Sequence, residues 1–238
     1  MLPLRDENPA ERTPWVTYAI IAVNVAVYLL QLQVGVDRSA LMCGAIPAEL
    51  TTGADLVGTA LIDLGGHAVS IEHLACPLPW PGTLLTAMFM HGSVMHIGGN
   101  LWCLWIFGDN VEDVLGPAKY IVFYLLVGIA GTLLHVAVDP LSQSPMIGAS
   151  GAIAGVMGAY AFLYPRAPVL TLGLPIMFYL RLPAWVVIGE FFIAQFFIDP
   201  SSGVAWAAHV GGFLAGVVLR FAFVWRRPER RVWTGYRP

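Results

Sequence analysis

A serine stands between two glycines at the start of an apolar run, in the segment MIGASGAIAGVMG that covers residues 146–158. A hydroxyl at a helix N-terminus lies near the positive end of the helix dipole, which favours a developing alkoxide. Small residues on both sides also let a neighbouring helix approach closely. Ser150 is therefore either a packing residue or a nucleophile, and this segment taken alone favours packing.

A second segment, WAAHVGGFLAG, provides a chemical partner for the serine. His209 is followed three and seven residues later by glycines, which places all three residues on one helix face. The serine has a similar glycine face, so two helix backbones can come close enough for the hydroxyl to meet the imidazole. The pattern predicts that His209 takes the Ser150 proton as a general base. No acidic residue lies near His209 in the sequence, since Asp199 is ten residues earlier, so a dyad and not a triad is predicted.

A third segment, MHGSVMHIGGNLW, brings polar side chains into an apolar span. Such groups are costly in hydrocarbon and are functional candidates by default. His96 and Asn100 are four residues apart and share a helix face. With the backbone N–H of Ser150, which is free at a helix start, they predict an oxyanion hole. His91 lies nearer the outer end, and a structural hydrogen-bonding role is favoured for it.

These residues need a membrane scaffold, and the composition predicts one. Of the 238 residues, 58% are hydrophobic and 11% are charged, whereas soluble domains carry about 25% charged residues. We expect an all-α, multi-pass membrane protein whose first span is too long to be a cleaved signal. The stretch before residue 184 is expected to be interfacial. Six spans are predicted, at residues 16–34, 84–107, 120–138, 150–164, 184–198 and 204–225.

The charge distribution predicts the topology. Lysines and arginines of the short loops and both ends fall on one side if both termini are cytoplasmic, while Arg38 alone lies on the other side. This gives a cytoplasmic segment 1–14, a membrane domain 15–225 with an outer loop at 35–83, and a basic cytoplasmic tail at 226–238. Segment 45–74 of the outer loop is expected to form short surface helices. Cys43 and Cys76 lie in this loop and could pair in an oxidising compartment, or stay as thiols.

The motifs GASG, HGSVMHIGGN and AHVGGFLAG, in this order on six spans, resemble those of the rhomboid intramembrane serine proteases. The resemblance covers about residues 14–225. It implies that Ser150 is the nucleophile, that His209 is the base, and that His96 and Asn100 hold the oxyanion. It also implies that Glu112, in VEDVLG, ties the cytoplasmic ends of helices together. Structural roles are thus expected for His91, Glu112, Gly151, Gly212 and Gly216.

The resemblance implies a six-helix bundle that cleaves single-span membrane proteins near the outer end of their helices. No cofactor, metal or nucleic acid is expected, although metal binding by the histidines stays possible without a carboxylate or thiolate at matching spacing. The expected location is a bacterial inner membrane, and the substrate and the oligomeric state stay open. Two residues depart from the family pattern. Trp80 lacks the arginine that many members have beside it. Ala154 stands where some members place a tyrosine against the base, so His209 must be positioned in another way.

Three other functions agree less well with the sequence. A relative that binds membrane clients without cutting them is disfavoured because the serine and the histidine are both present. A proton relay through His91, His96, His209 and Glu190 is disfavoured because the histidines cluster in the outer half of their spans. A metalloprotease is disfavoured because the chain has no HExxH motif. The role of Glu190 stays open, with Gln195 or a neighbouring helix as its candidate partner.

Overall fold

The computed structural model describes residues 1–63, 68–173, 178–199 and 202–224. The predicted basic tail and the last residue of the sixth predicted span lie outside these residues. The helices are α1 (Trp15–Val34), α2 (Val36–Cys43), α3 (Pro47–Thr52), α4 (Thr83–Thr86), α5 (Val94–Leu115), α6 (Pro117–Val138), α7 (Ser150–Leu163), α8 (Ala184–Ala194) and α9 (Trp206–Phe223). The strands are β1 (Leu2–Asp6), β2 (Gly58–Asp63), β3 (Ala68–His73), β4 (Pro168–Gly173) and β5 (Phe178–Pro183).

Three of these helices, α1, α6 and α9, are long and apolar enough to cross a membrane. Helices α7 and α8 are apolar but shorter, and α5 is 22 residues long with acidic residues in its last turns. Large apolar side chains such as Leu30 and Phe221 are exposed on the outside of the bundle, as expected for a surface that lipid covers. The chain is therefore a mostly helical integral membrane protein. The six predicted spans correspond to the six longest of the described helices, but their number and orientation in a bilayer stay predictions.

Helix α9 packs against both α6 and α7 at the centre of the bundle. Glycines make this possible, because a Cβ at Gly212 would collide with the carbonyl oxygen of Gly151. A Cβ at Gly216 would collide in the same way with the carbonyl oxygen of Gly155. This row of backbone contacts, which we call the glycine seam, brings the start of α9 beside the start of α7.

The second predicted span is not one continuous helix. A short helix, α4, and a 3-10 turn at Ala87–Phe89 come first, the chain is irregular over residues 90–93, and α5 begins at Val94. The Ser93 side chain accepts a hydrogen bond of 3.1 Å from the His96 backbone N–H and so caps α5. The break places His91 in the irregular segment, before the helix that carries His96.

Two segments predicted to lie along the membrane surface contain strands instead. The segment 45–74 of the outer loop holds one short helix, α3, as expected, but its later part forms the antiparallel hairpin β2–β3. The segment between α7 and α8 forms the antiparallel hairpin β4–β5, and β1 pairs with β4 to complete a three-stranded sheet. A hairpin satisfies backbone N–H and C=O groups where the sequence has no helical apolar period, which is why strands form here.

Candidate active site

The loop that leads into α7 is held from two sides. Ala45 and Met146 exchange two backbone hydrogen bonds of 3.0 and 2.9 Å. The Gly148 N–H donates to the Ala87 carbonyl oxygen over 2.8 Å. Gly148 has φ +135°, a conformation that favours glycine. The outer loop and the 3-10 turn before α5 therefore fix the backbone that immediately precedes Ser150.

The structure brings the two predicted chemical residues together. Ser150 begins α7, and its Oγ lies 2.7 Å from Nε2 of His209 in the first turn of α9. This distance is that of a hydrogen bond. Since the His209 ring comes from a different helix, the contact depends on the close approach along the glycine seam.

A third side chain, from α8, completes this group. Oε1 of Gln195 lies 2.6 Å from Nδ1 of His209, and Nε2 of Gln195 donates to the Phe191 carbonyl oxygen over 2.8 Å. Gln195 is 5% exposed and lies in the 3-10 turn that follows α8. From the sequence, Gln195 is only a candidate partner of Glu190. The signal that could have found it is a polar residue in an apolar helix, which is a functional candidate by default.

His96 and Asn100 lie next to Ser150, on α5. Nδ1 of His96 accepts a hydrogen bond from the Gly92 N–H at 3.3 Å, which leaves the ring proton on Nε2. A Cβ built on Gly148 would lie 2.9 Å from that Nε2 and 3.5 Å from the Ser150 Oγ. Nε2 of His96 and the Ser150 hydroxyl therefore border the same small space beside Gly148. Asn100 is buried, and its Nδ2 has no hydrogen-bond partner within the described ranges.

The residues expected to be structural are placed as follows. The His91 ring is fully buried and packs edge-on against the His96 ring, with 5.1 Å between ring centroids. Its backbone N–H donates to Oε1 of Gln31, which links it to α1. The Glu112 carboxylate accepts hydrogen bonds of 2.8–2.9 Å from the first residues of α1, Val16 and Thr17. Gly151, Gly212 and Gly216 form the glycine seam with Gly155.

Two questions that the sequence left open receive structural answers. Cys43 and Cys76 form a disulfide, which links α2 to the segment before α4. Glu190 contacts the Met1 amino group at 2.8 Å and is not the partner of Gln195. In the part of the chain that the structure describes, no group of His, Cys, Asp or Glu is placed to hold a metal ion.

A narrow cavity opens beside the Ser150 side chain. Its wall includes Gly128 and Thr132 from α6 together with Ala205 and Ala208 from the start of α9. Most of these side chains are small, and the cavity reaches the residue that carries the hydroxyl.

Comparison with known proteins identifies the family. The family profile described as the rhomboid domain matches residues 80–226, which is more than half of the chain. The chain belongs to the rhomboid family. This confirms the resemblance drawn from the three motifs, and the rhomboid domain includes every helix that contributes to the site, from α5 to α9.

Curated rhomboid relatives agree with this assignment. The chain is 30% identical over 147 residues to "Rhomboid protein 1, mitochondrial" of Saccharomyces cerevisiae, covering 57% of this chain and 40% of that protein. It is 31% identical over 150 residues to "RHOMBOID-like protein 12, mitochondrial" of Arabidopsis thaliana, covering 55% and 43%. It is 26% identical over 163 residues to the human "Presenilin-associated rhomboid-like protein, mitochondrial", covering 63% and 41%. The chain thus spans less than half the length of these relatives, and their names give no support to a bacterial membrane.

Proposed function

We propose that this rhomboid is an intramembrane serine endopeptidase that uses Ser150 and His209. The hydrogen bond of 2.7 Å between the Ser150 Oγ and the His209 Nε2 carries the proposal. A serine hydroxyl is a weak nucleophile at neutral pH and becomes effective when an adjacent base takes its proton. Here the base lies within hydrogen-bond reach, and the hydroxyl lies at the start of a helix, whose dipole favours the negative charge that develops.

The reaction would proceed by acyl transfer. The Ser150 Oγ attacks the peptide carbonyl carbon while its proton passes to Nε2 of His209. The carbonyl oxygen then carries the negative charge, and Nε2 of His96, Nδ2 of Asn100 and the Ser150 N–H are its proposed donors. His209 returns the proton to the leaving amine as the C–N bond breaks. Water, deprotonated by the same imidazole, then cleaves the acyl-serine ester and regenerates the hydroxyl.

The proposed substrates are single-span membrane proteins with a small residue at the cleavage position. The small-walled cavity beside Ser150 supports this choice. Six spans with both termini in the cytoplasm would place the site near the outer surface, as the distribution of lysines and arginines predicts. The domain bounds of 15–225, the basic tail and the bacterial inner membrane stay predictions from the sequence.

The test uses the full chain in lipid bilayers with a single-span membrane substrate and a fluorophosphonate probe. We expect the native chain to cleave the substrate and take up one probe. Ser150→Ala should do neither, and His209→Ala should lose cleavage while keeping its melting temperature within a few degrees. Ser144→Ala, an exposed serine of the same loop, is the matched control and should behave like the native chain.

Two results would count against the proposal. Equal labelling of the native chain and Ser150→Ala would remove Ser150 as the nucleophile. A folded native chain that binds the substrate but neither cleaves it nor reacts with the probe would indicate a client-binding rhomboid without protease activity.

A further inference from the structure

We infer that Gln195 is a positioning residue that fixes the tautomer of His209. This inference rests on the proposed function, because it concerns the base of the same reaction. Within the described residues, the hydrogen bonds of the Gln195 side chain run to His209 and to the Phe191 carbonyl oxygen, and none runs to Ser150. It therefore acts through the imidazole.

The orientation of the Gln195 amide follows from its two partners. Nε2 faces the Phe191 carbonyl oxygen at 2.8 Å, and only an N–H group can donate there. The reverse orientation would set the amide oxygen against another carbonyl oxygen with no hydrogen between them. Oε1 must therefore face His209, where it lies 2.6 Å from Nδ1.

The tautomer of His209 follows in turn. An amide oxygen can only accept, so Nδ1 of His209 must carry the proton. Nε2 is then unprotonated and accepts from the Ser150 hydroxyl at 2.7 Å. This is the tautomer that a general base needs, because a proton already on Nε2 would leave no lone pair for the serine.

The same contact holds through the reaction. When Nε2 takes the Ser150 proton, the imidazolium has two N–H groups and needs an acceptor for each. Nδ1–H continues to donate to the Gln195 oxygen, and Nε2–H faces the reacting oxygen. The imidazole ring therefore does not have to rotate. The burial of Gln195, at 5% exposed, removes water as a competing partner. This contact also gives His209 the support that Ala154 cannot supply from α7.

The hydrogen-bonded group of Ser150, His209 and Gln195 therefore comes from three separate parts of the bundle. Ser150 comes from α7, His209 from α9 and Gln195 from the turn after α8. The Phe191 ring, one turn earlier on α8, lies 6.1 Å from the His209 ring between centroids. The orientation of the base is thus set by the position of α8 and not only by the glycine seam.

The experiment compares two substitutions of Gln195 in bilayers. Gln195→Leu keeps the approximate volume but has no acceptor, and we expect kcat to fall at least about tenfold with KM nearly unchanged, since general-base catalysis contributes about 10²–10⁴-fold. Gln195→Glu restores an acceptor and should recover most of kcat. As the pH is lowered, Gln195→Glu should lose activity at a higher pH than the native chain does, because a carboxylate stabilises the imidazolium. Ile193→Leu, at an exposed position in the last turn of α8, is the control and should match the native chain.

A second measurement does not depend on activity. In bilayer samples with ¹⁵N-labelled histidine, the His209 signal, assigned by its absence in His209→Ala, should show a protonated Nδ1 and an unprotonated Nε2. Gln195→Leu should lose this single tautomer. The inference is overturned if native His209 carries its proton on Nε2, or if folded Gln195→Leu keeps kcat within about twofold of the native value.

These outcomes separate the inference from the proposed function. A native chain that shows the Nδ1–H tautomer but cleaves nothing would refute the protease and leave the role of Gln195 standing. A native chain that cleaves through Ser150 while Gln195→Leu is unaffected would refute the positioning role alone.

Discussion

Asn100 has a buried Nδ2 donor without a partner among the described residues, and His96 has a ring proton on Nε2; both are suited to donate to a negative oxygen. Leaving a buried N–H unsatisfied costs free energy in the resting protein, and that cost is recovered when an oxyanion forms. We expect His96→Ala and Asn100→Ala to lower kcat far more than they raise KM, because the interaction strengthens in the transition state. Loss of one such donor typically costs about 10²–10³ in kcat.

The control for this prediction is His91. Its ring is fully buried and packs against the His96 ring, so His91→Ala should lower the melting temperature as well as the rate. Steady-state kinetics in bilayers and a melting curve for each variant make the comparison. If His96→Ala and Asn100→Ala unfold many degrees earlier with kcat retained, the pair is scaffold and the oxyanion is held by backbone donors.

At the scale of single residues, the sequence was sufficient to pair Ser150 with His209. Both lie at helix starts beside glycines, and this local pattern is enough to predict that the two helices approach closely. Gln195 could not be assigned in the same way. Its role depends on where α8 ends relative to α9, and the turn that sets this follows from packing between helices and not from any local period. The sequence showed no acidic residue near His209 but gave no sign of the amide that lies at its Nδ1.

Between elements, the glycine seam decides how far apart α7 and α9 lie. We expect Gly212→Val to lower kcat/KM by about a hundredfold or more, because displacement of roughly 1 Å in a catalytic group can cost that much. The reason is the collision of any Cβ at this position with the Gly151 carbonyl oxygen. The measurement is cleavage in bilayers, with probe labelling of Ser150 as a second readout.

The matched control is Leu214→Val, which introduces the same β-branched side chain into α9 at an exposed position. It should keep nearly native activity. Full activity of Gly212→Val would mean that α7 and α9 do not need this contact.

The sequence predicted the helices of this bundle better than its strands and breaks. Apolar runs located α1, α6, α7 and α9 to within three residues at each end, because a membrane span requires such runs. The second predicted span, 84–107, begins ten residues before α5 and ends eight residues before the end of α5, and the fifth ends four residues beyond α8. The two hairpins were missed because strand pairing joins distant segments, as β1 joins β4. The break before α5 was also missed, although Ser93 is a typical helix cap.

At the scale of the whole molecule, the N-terminal segment is tied to the helices that build the site. Asp6, at the end of β1, accepts hydrogen bonds from the Tyr160 hydroxyl at 2.7 Å and from Nδ2 of Asn110 at 2.9 Å. Tyr160 lies ten residues after Ser150 on α7, which is about 15 Å along a helix. The end of α7 opposite the serine is thus joined to α5 and to the sheet through one carboxyl group.

This carboxyl group gives stability a defined pH dependence. Burial raises the pKa of Asp6 from 3.8 to about 7, the nearby Asp109 charge adds to the rise, and the Tyr160 hydrogen bond partly opposes it. The folded chain therefore holds a proton on Asp6 that the unfolded chain has already released above about pH 4. The free energy of unfolding should fall as the pH rises from about 4 to about 7 and then level off.

Asp6→Asn tests this, because its amide oxygen can still accept from Tyr160 and Asn110 but carries no charge at any pH. We expect the native chain to lose a few degrees of melting temperature relative to Asp6→Asn between pH 5 and pH 8, each measured in the same detergent. Glu7→Gln is the neighbouring control: Glu7 accepts a 3.0 Å hydrogen bond from the exposed Arg181, so its removal should shift the melting temperature by a similar amount at both pH values. Parallel pH curves for the native chain and Asp6→Asn would show that Asp6 ionises alike in the folded and unfolded chains. The attachment of β1 to α7 and α5 would then be independent of pH.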